Sequence, residues 1–190
     1  MRFIVTCAAV AAMLAFGGCT KQPETVSTGG ECKIDGVIAP KWICIPEGPE
    51  GTIGGLGTAP RNPAGNYGFQ LDQAKAGGID AITRTVEVTV QNMFKSWQRS
   101  TAQGSDAATF ENDFETVSRQ TAQQSLRGAK IADSWQHPAT GVLYILMTAP
   151  IDQAQEALMS SLHNQTALWQ QFQSQKAQEE LKAEFQKSLP

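Results

Sequence analysis

The sequence predicts an α+β domain: a small, mostly antiparallel sheet with helices packed on one face, followed by a long C-terminal helix. Apolar residues recur at helical spacing in two central stretches, and they alternate or run together in several shorter ones. A final run from Ile151 to Leu189 contains neither Gly nor Pro. Gathering helices on one side of an antiparallel sheet is one of the few layer arrangements that buries both kinds of amphipathic element.

Ile34 to Ile45 is a short apolar stretch interrupted by Pro40, with Cys32 and Cys44 at its edges. Pro46 to Gly51 is a turn-rich break. Thr52 to Ala59 reads as a strand thinned by glycines, the pattern of a strand that another backbone approaches closely. A loop, Pro60 to Gly65, leads into a helix from Tyr67 to Arg84, with Leu71, Ala74, Gly78, Ala81 and Ile82 on one side. Gly77 and Gly78 each weaken this helix by about 1 kcal/mol, but small residues let a helix lie close to a sheet.

Val86, Val88 and Val90 then alternate with Glu87, Thr89 and Gln91, and Phe94 continues their face. This period of two predicts a strand from Thr85 to about Trp97. After a polar loop, Ser105 or Asp106 caps a second helix that runs to about Arg127. Its stripe is Phe110, Phe114, Val117 and Thr121, and Gly128 stands where a C-terminal glycine belongs. Strands Ala129 to Gln136 and Val142 to Thr148 flank the turn His137 to Gly141 as a hairpin. The last helix would be on the order of 55 Å long, more than a small domain spans. Its second half is expected to extend away from the sheet or to pack on another copy, which makes Trp169, Phe172, Leu181 and Phe185 interface candidates.

The N-terminus has the layout of an export signal. Arg2 is followed by an apolar run from Phe3 to Phe16, then by the small residues Gly17 and Gly18. The run is shorter than the roughly 20 residues a membrane-spanning helix needs. Ala15-Phe16-Gly17-Gly18-Cys19 resembles a bacterial lipobox, with Phe16 where Leu is commonest. Residues 1–18 therefore read as a lipoprotein leader and Cys19 as the lipidated residue; ordinary cleavage with a free Cys19 thiol is the alternative. Several acyl chains, each buried CH₂ worth about 0.8 kcal/mol, make a stable anchor. By resemblance to lipoprotein sorting, Thr20 implies the periplasmic face of the outer membrane. Thr20 to Gly30 is a polar tether, and residues 19–39 are assigned to lipidated Cys19 and tether, 40–150 to the α+β domain and 151–190 to the long helix.

Without Arg2 the chain carries 14 basic against 18 acidic residues, which offers no basic footprint for nucleic acid. Cys7 is lost with the leader, which leaves Cys32 and Cys44 as an even pair in an oxidising compartment, read as a disulfide. No catalytic constellation is present: His137 and His163 are isolated, and no cofactor or metal site is expected. Gly51-Thr-Ile-Gly-Gly-Leu-Gly57 lacks the Lys-Ser/Thr of a phosphate loop. Trp42, Trp97, Trp135 and Trp169 are spread over separate elements and read as core or interface anchors rather than a ligand box.

A set of motifs between Pro40 and Pro150 resembles the Lpp-twenty outer-membrane lipoprotein family. They are Pro40-Lys-Trp42, Ile53-Gly-Gly-Leu-Gly57, the small-residue helix leading into Val86-Glu-Val-Thr-Val90, Leu126-Arg-Gly-Ala-Lys-Ile131-Ala-Asp-Ser-Trp135, and Gly141-Val-Leu-Tyr144-Ile-Leu. The Cys32–Cys44 pair and the C-terminal helix are not part of that pattern. The resemblance implies a dodecin- or SHS-two-like domain without catalytic or cofactor residues, in a family that includes flagellar outer-membrane lipoproteins that multimerise.

Three roles are compatible with these features. The first is a non-catalytic structural lipoprotein that self-associates or docks onto an envelope machine such as a flagellar motor or secretion system. The second is a regulator of a periplasmic cell-wall enzyme, and the third a small-ligand binder. In the membrane fraction, the intact mass of the wild-type chain is expected to show acyl groups and loss of residues 1–18. Cys19→Ser should abolish the acyl mass, and a cleaved but unacylated wild type would contradict the lipobox reading.

Overall fold

We describe residues 30–101, 107–170 and 172–189 of a computed structural model; the segment read as a leader, Cys19 and the expected caps Ser105 and Asp106 lie outside them. The folded unit starts at Glu31, so residues 31–39, assigned above to the tether, belong to the fold. There β1 (Lys33–Ile34) and β2 (Val37–Ile38) form a small hairpin. Asp35 and Gly36 supply its two positive φ angles, as an Asp-Gly hairpin turn requires. One helical turn follows, α1 (Lys41–Cys44), and then β3 (Thr52–Ala59). The helices α2 (Tyr67–Thr101) and α3 (Ala107–Gln124) precede the hairpin β4 (Lys130–Gln136) and β5 (Leu143–Pro150). The chain ends in α4 (Ile151–His163), α5 (Thr166–Trp169) and α6 (Gln175–Ser188).

The protein is α+β, with an antiparallel three-stranded sheet in the order β3-β5-β4. Register assigns the two faces. Ile53, Gly55, Gly57 and Ala59 of β3 lie opposite Ala149, Met147, Ile145 and Leu143 of β5, and these four β5 residues are buried beneath the helices. Leu56 and Tyr144, on the other face, meet the segment that carries the disulfide.

The glycines of β3 set how closely the first helix packs. A Cβ on Gly57 would overlap the carbonyl oxygen of Ala74, and one on Gly55 would overlap that of Gly78. From the helix side, a Cβ on Gly78 would stand 2.5 Å from Met147 Cγ. Backbone therefore lies on backbone, as the glycine pattern predicts, and the small residues of α2 are packed rather than merely tolerated.

Two expectations need correction. Thr85 to Trp97 is not a strand; it continues α2, which is 35 residues long, about 50 Å. Ala74, Gly78, Ile82, Val86 and Val90 form one row at a spacing of four, joined by Met93 and Phe94. Every side chain in that row is buried, whereas Val88, which alternation would place with Val86 and Val90, is 47% exposed. Burial of this seven-residue helical stripe outweighs the β-preference of three valines, since such preference is largely a matter of packing context.

The C-terminal region is helical as expected, but it does not run straight. It breaks at Asn164–Gln165 and again before Ser174, whose hydroxyl accepts the N–H of Ala177 and caps α6. Folding back buries Leu168, Phe172 and Phe185 in the main core. Each such side chain contributes about 1.5–3 kcal/mol on full burial, more than the few helical hydrogen bonds a break removes. In α3, Phe114, Val117 and Thr121 are buried as the stripe requires, while the Phe110 side chain lies outside the described residues. Gly128 has φ +80° just beyond α3.

Gly57→Ala is expected to destabilise the fold by about 3 kcal/mol or more in denaturant titration, because neither backbone has room to yield. Gly68→Ala, on an open face of α2 where the added methyl meets Asn66 at 3.5 Å, should be neutral or stabilise by about 0.4–1 kcal/mol. Equal effects at the two sites would argue against the close contact.

Candidate docking surfaces

One face of the sheet is closed by the lobe made of β1, β2 and α1. Cys32 and Cys44 form a disulfide with their Cα atoms 5.8 Å apart. Cys32, Ala39 and Ile43 are buried at its centre, against Ile34, Trp42, Leu56, Trp135 and Tyr144. Closing so short a loop is worth about 3 kcal/mol by chain entropy. Trp42 Nε1 donates to Asp133 Oδ2 at 2.8 Å, which attaches the lobe to β4.

His137 attaches it again. Its Nδ1 accepts the N–H groups of Ala139 and Thr140, both at 3.2 Å, so Nε2 carries the proton and donates to the Ile34 carbonyl at 3.3 Å. His137 is buried beside Trp135, with ring centroids 5.5 Å apart. The turn histidine is thus a strut between hairpin and lobe. Sequence reasoning saw it as isolated because its partners are backbone atoms, one of them more than a hundred residues away.

On the helical side, aromatic rings join three segments. Phe94 and Phe114 stack at 4.5 Å, and Trp97 reaches Phe114 at 6.3 Å and Phe172 at 5.3 Å. This corrects the interface assignment for Phe172 and Phe185. Phe172 and Phe185 are buried within their own domain, and Trp169 and Leu181 are half-buried against the same core. Beside them a groove of about 300 Å³ opens between α2 and α6, with Met93, Trp97, Phe172 and Leu181 in its floor and Glu180 and Glu184 at its rim.

The remaining unpartnered feature is β4. Among the described residues it pairs only with β5, and all of its residues except Trp135 are exposed. Ile131, Ser134 and Gln136 share the face that the helices cover over β5, yet none of them is covered. A bulge at Ala132 interrupts the ladder, and Asp133 Oδ1 accepts the N–H of Ser134 at 2.7 Å. The bulge restricts which strand can add to this edge without closing it.

Among the described residues, no three His, Cys, Asp or Glu side chains converge to hold a metal ion, and no helix is long and apolar enough to cross a membrane. No family model and no curated protein matches the chain.

His137→Ala is expected to lower stability by about 2–4 kcal/mol, since it leaves a cavity and three unmet backbone groups. Asp133→Ala should cost about 1 kcal/mol, because that carboxylate is exposed. Thermal unfolding of the two variants tests the order, and a smaller loss for His137→Ala would remove the strut from the account.

Proposed function

We propose that this protein is a non-catalytic lipoprotein, anchored through Cys19 to the periplasmic face of the outer membrane, whose α+β domain assembles with further copies of itself. What supports the reading is the conjunction of a leader-like sequence, residues 1–18 before Cys19, with a disulfide in the first folded lobe. Disulfides persist in exported chains and are rare in reducing compartments. The resemblance to Lpp-twenty lipoproteins agrees with this role and suggests an envelope machine, such as a flagellar motor or secretion system, as the setting.

Self-association rests on the edge of β4. Its uncovered face offers Ile131, and among the described residues its backbone has one partner strand rather than two. The C-terminal helices are engaged in the domain's own core, so β4 replaces them as the contact surface. A tether of about eleven residues spans on the order of 20 Å as a coil, too short to reach easily through the cell-wall layer. That disfavours a regulator of a distant cell-wall enzyme.

Size-exclusion chromatography with light scattering on the detergent-solubilised full chain tests the proposal. A mass of two or more copies is expected at micromolar concentrations. Ile131→Arg should weaken assembly about tenfold, or 1.4 kcal/mol, with little change in melting temperature. A strict monomer over a wide concentration range would overturn self-association.

A further inference from the structure

The turn His137 to Gly141 gathers distant parts of the chain at one end of the sheet. On one side, His137 Nε2 reaches the Ile34 carbonyl in the disulfide lobe. On the other, Gln70 Nε2, from the first turns of α2, donates to the carbonyls of Gly141 at 2.9 Å and Ala59 at 3.2 Å. These links bring the β1–β2 hairpin and the start of α2 to the same end. Both expose large apolar side chains: Ile38 is 65% exposed, Tyr67 51% and Phe69 60%. Among the described residues the other exposed large hydrophobics are Ile45 just after α1, Val88 on α2 and Ile131 on β4.

The charges at this end suit a phospholipid surface. Lys33 pairs with Glu31 at 3.1 Å and Lys75 with Asp72 at 3.5 Å. Arg61, which lies against Gly141, has no carboxylate partner among the described residues and is available to a lipid phosphate. Asp35 in the hairpin turn likewise has no basic partner among the described residues, so the two charges offset.

We propose that this end of the domain rests on the phospholipid surface, with Ile38, Tyr67 and Phe69 entering the headgroup layer and Arg61 meeting lipid phosphate. The inference depends on the reading of Cys19 as the lipid anchor. The chain enters the folded unit at Glu31, beside Lys33 of this same end. Residues 20–30 reach at most about 40 Å when fully extended. A tether this short holds the domain at roughly millimolar effective concentration near the bilayer, so a contact too weak to bind from solution is still occupied. Aromatic and aliphatic side chains beside a basic one are the composition of an interfacial membrane contact.

Surface labelling of the full-length chain on vesicles of phosphatidylethanolamine and phosphatidylglycerol tests this, with unacylated Cys19→Ala in solution as the reference. Intact mass reports acylation separately. Amine labelling of Lys33 and phenol labelling of Tyr67 are expected to slow about threefold or more on vesicles, the protection that millimolar tethering gives a contact with a Kd of about 0.5 mM or below. Lys130 and Lys182 should label as in solution. Phe69→Glu should restore labelling while the chain stays acylated and vesicle-bound. Acylated, vesicle-bound protein whose Lys33 and Tyr67 label as in solution would overturn this inference and leave the anchor reading intact. Absence of acyl mass would overturn both.

Discussion

The fold depends on one close contact, the backbone of α2 against the backbone of β3 at Gly55, Gly57, Ala74 and Gly78. Only glycine at both strand positions gives the helix this approach. Once α2 lies there, its register is fixed, and the row Ala74, Gly78, Ile82, Val86 and Val90 faces the core without interruption. The far half of the helix then presents Phe94 and Trp97 where α3 and the folded-back C-terminus pack on them. The aromatic cluster is thus positioned by glycines some twenty residues earlier on the same rigid helix.

The opposite face of the sheet is held by different means. The lobe is too small to supply much hydrophobic burial, and small units of this kind rely on cross-links. It uses the Cys32–Cys44 disulfide internally and attaches to the sheet through Trp42–Asp133 and His137–Ile34. Both attachments fall on the β4–β5 hairpin, and Gln70 binds the same turn from α2. Five residues, His137 to Gly141, therefore join the lobe on one face to the helices on the other.

Much of this was legible in the sequence. The glycines of Thr52–Ala59 signalled close approach because no other local requirement explains so many in one strand, and the Asp-Gly-free hairpin turn ended in Gly141 at φ +71°. The disulfide followed from cysteine arithmetic. The continuation of α2 was misread because Val86-Glu-Val-Thr-Val90 satisfies a period of two over five residues, while the competing period shows only over a longer window that begins at Ala74. The return of the C-terminus was hidden because nothing local enforces it. Asn164 and Ser174 permit breaks, but burial of Leu168, Phe172 and Phe185 against distant partners selects them. The lobe was divided wrongly because Asp35-Gly36, a strong turn signal, sits between strands of only two residues each.

These relations engage the core within the domain and leave an edge strand and one exposed end as the surfaces proposed above for contacts. Native-state hydrogen exchange tests the central relation most directly, since it reports the free energy of opening residue by residue. The account predicts that amides of β3, β5 and α2 from Ala74 to Phe94 share the slowest exchange and open together. Those of β4 and α6 should exchange sooner, through local openings. Slow exchange in β4 or α6 combined with rapid exchange in β3 and around Gly78 would contradict it.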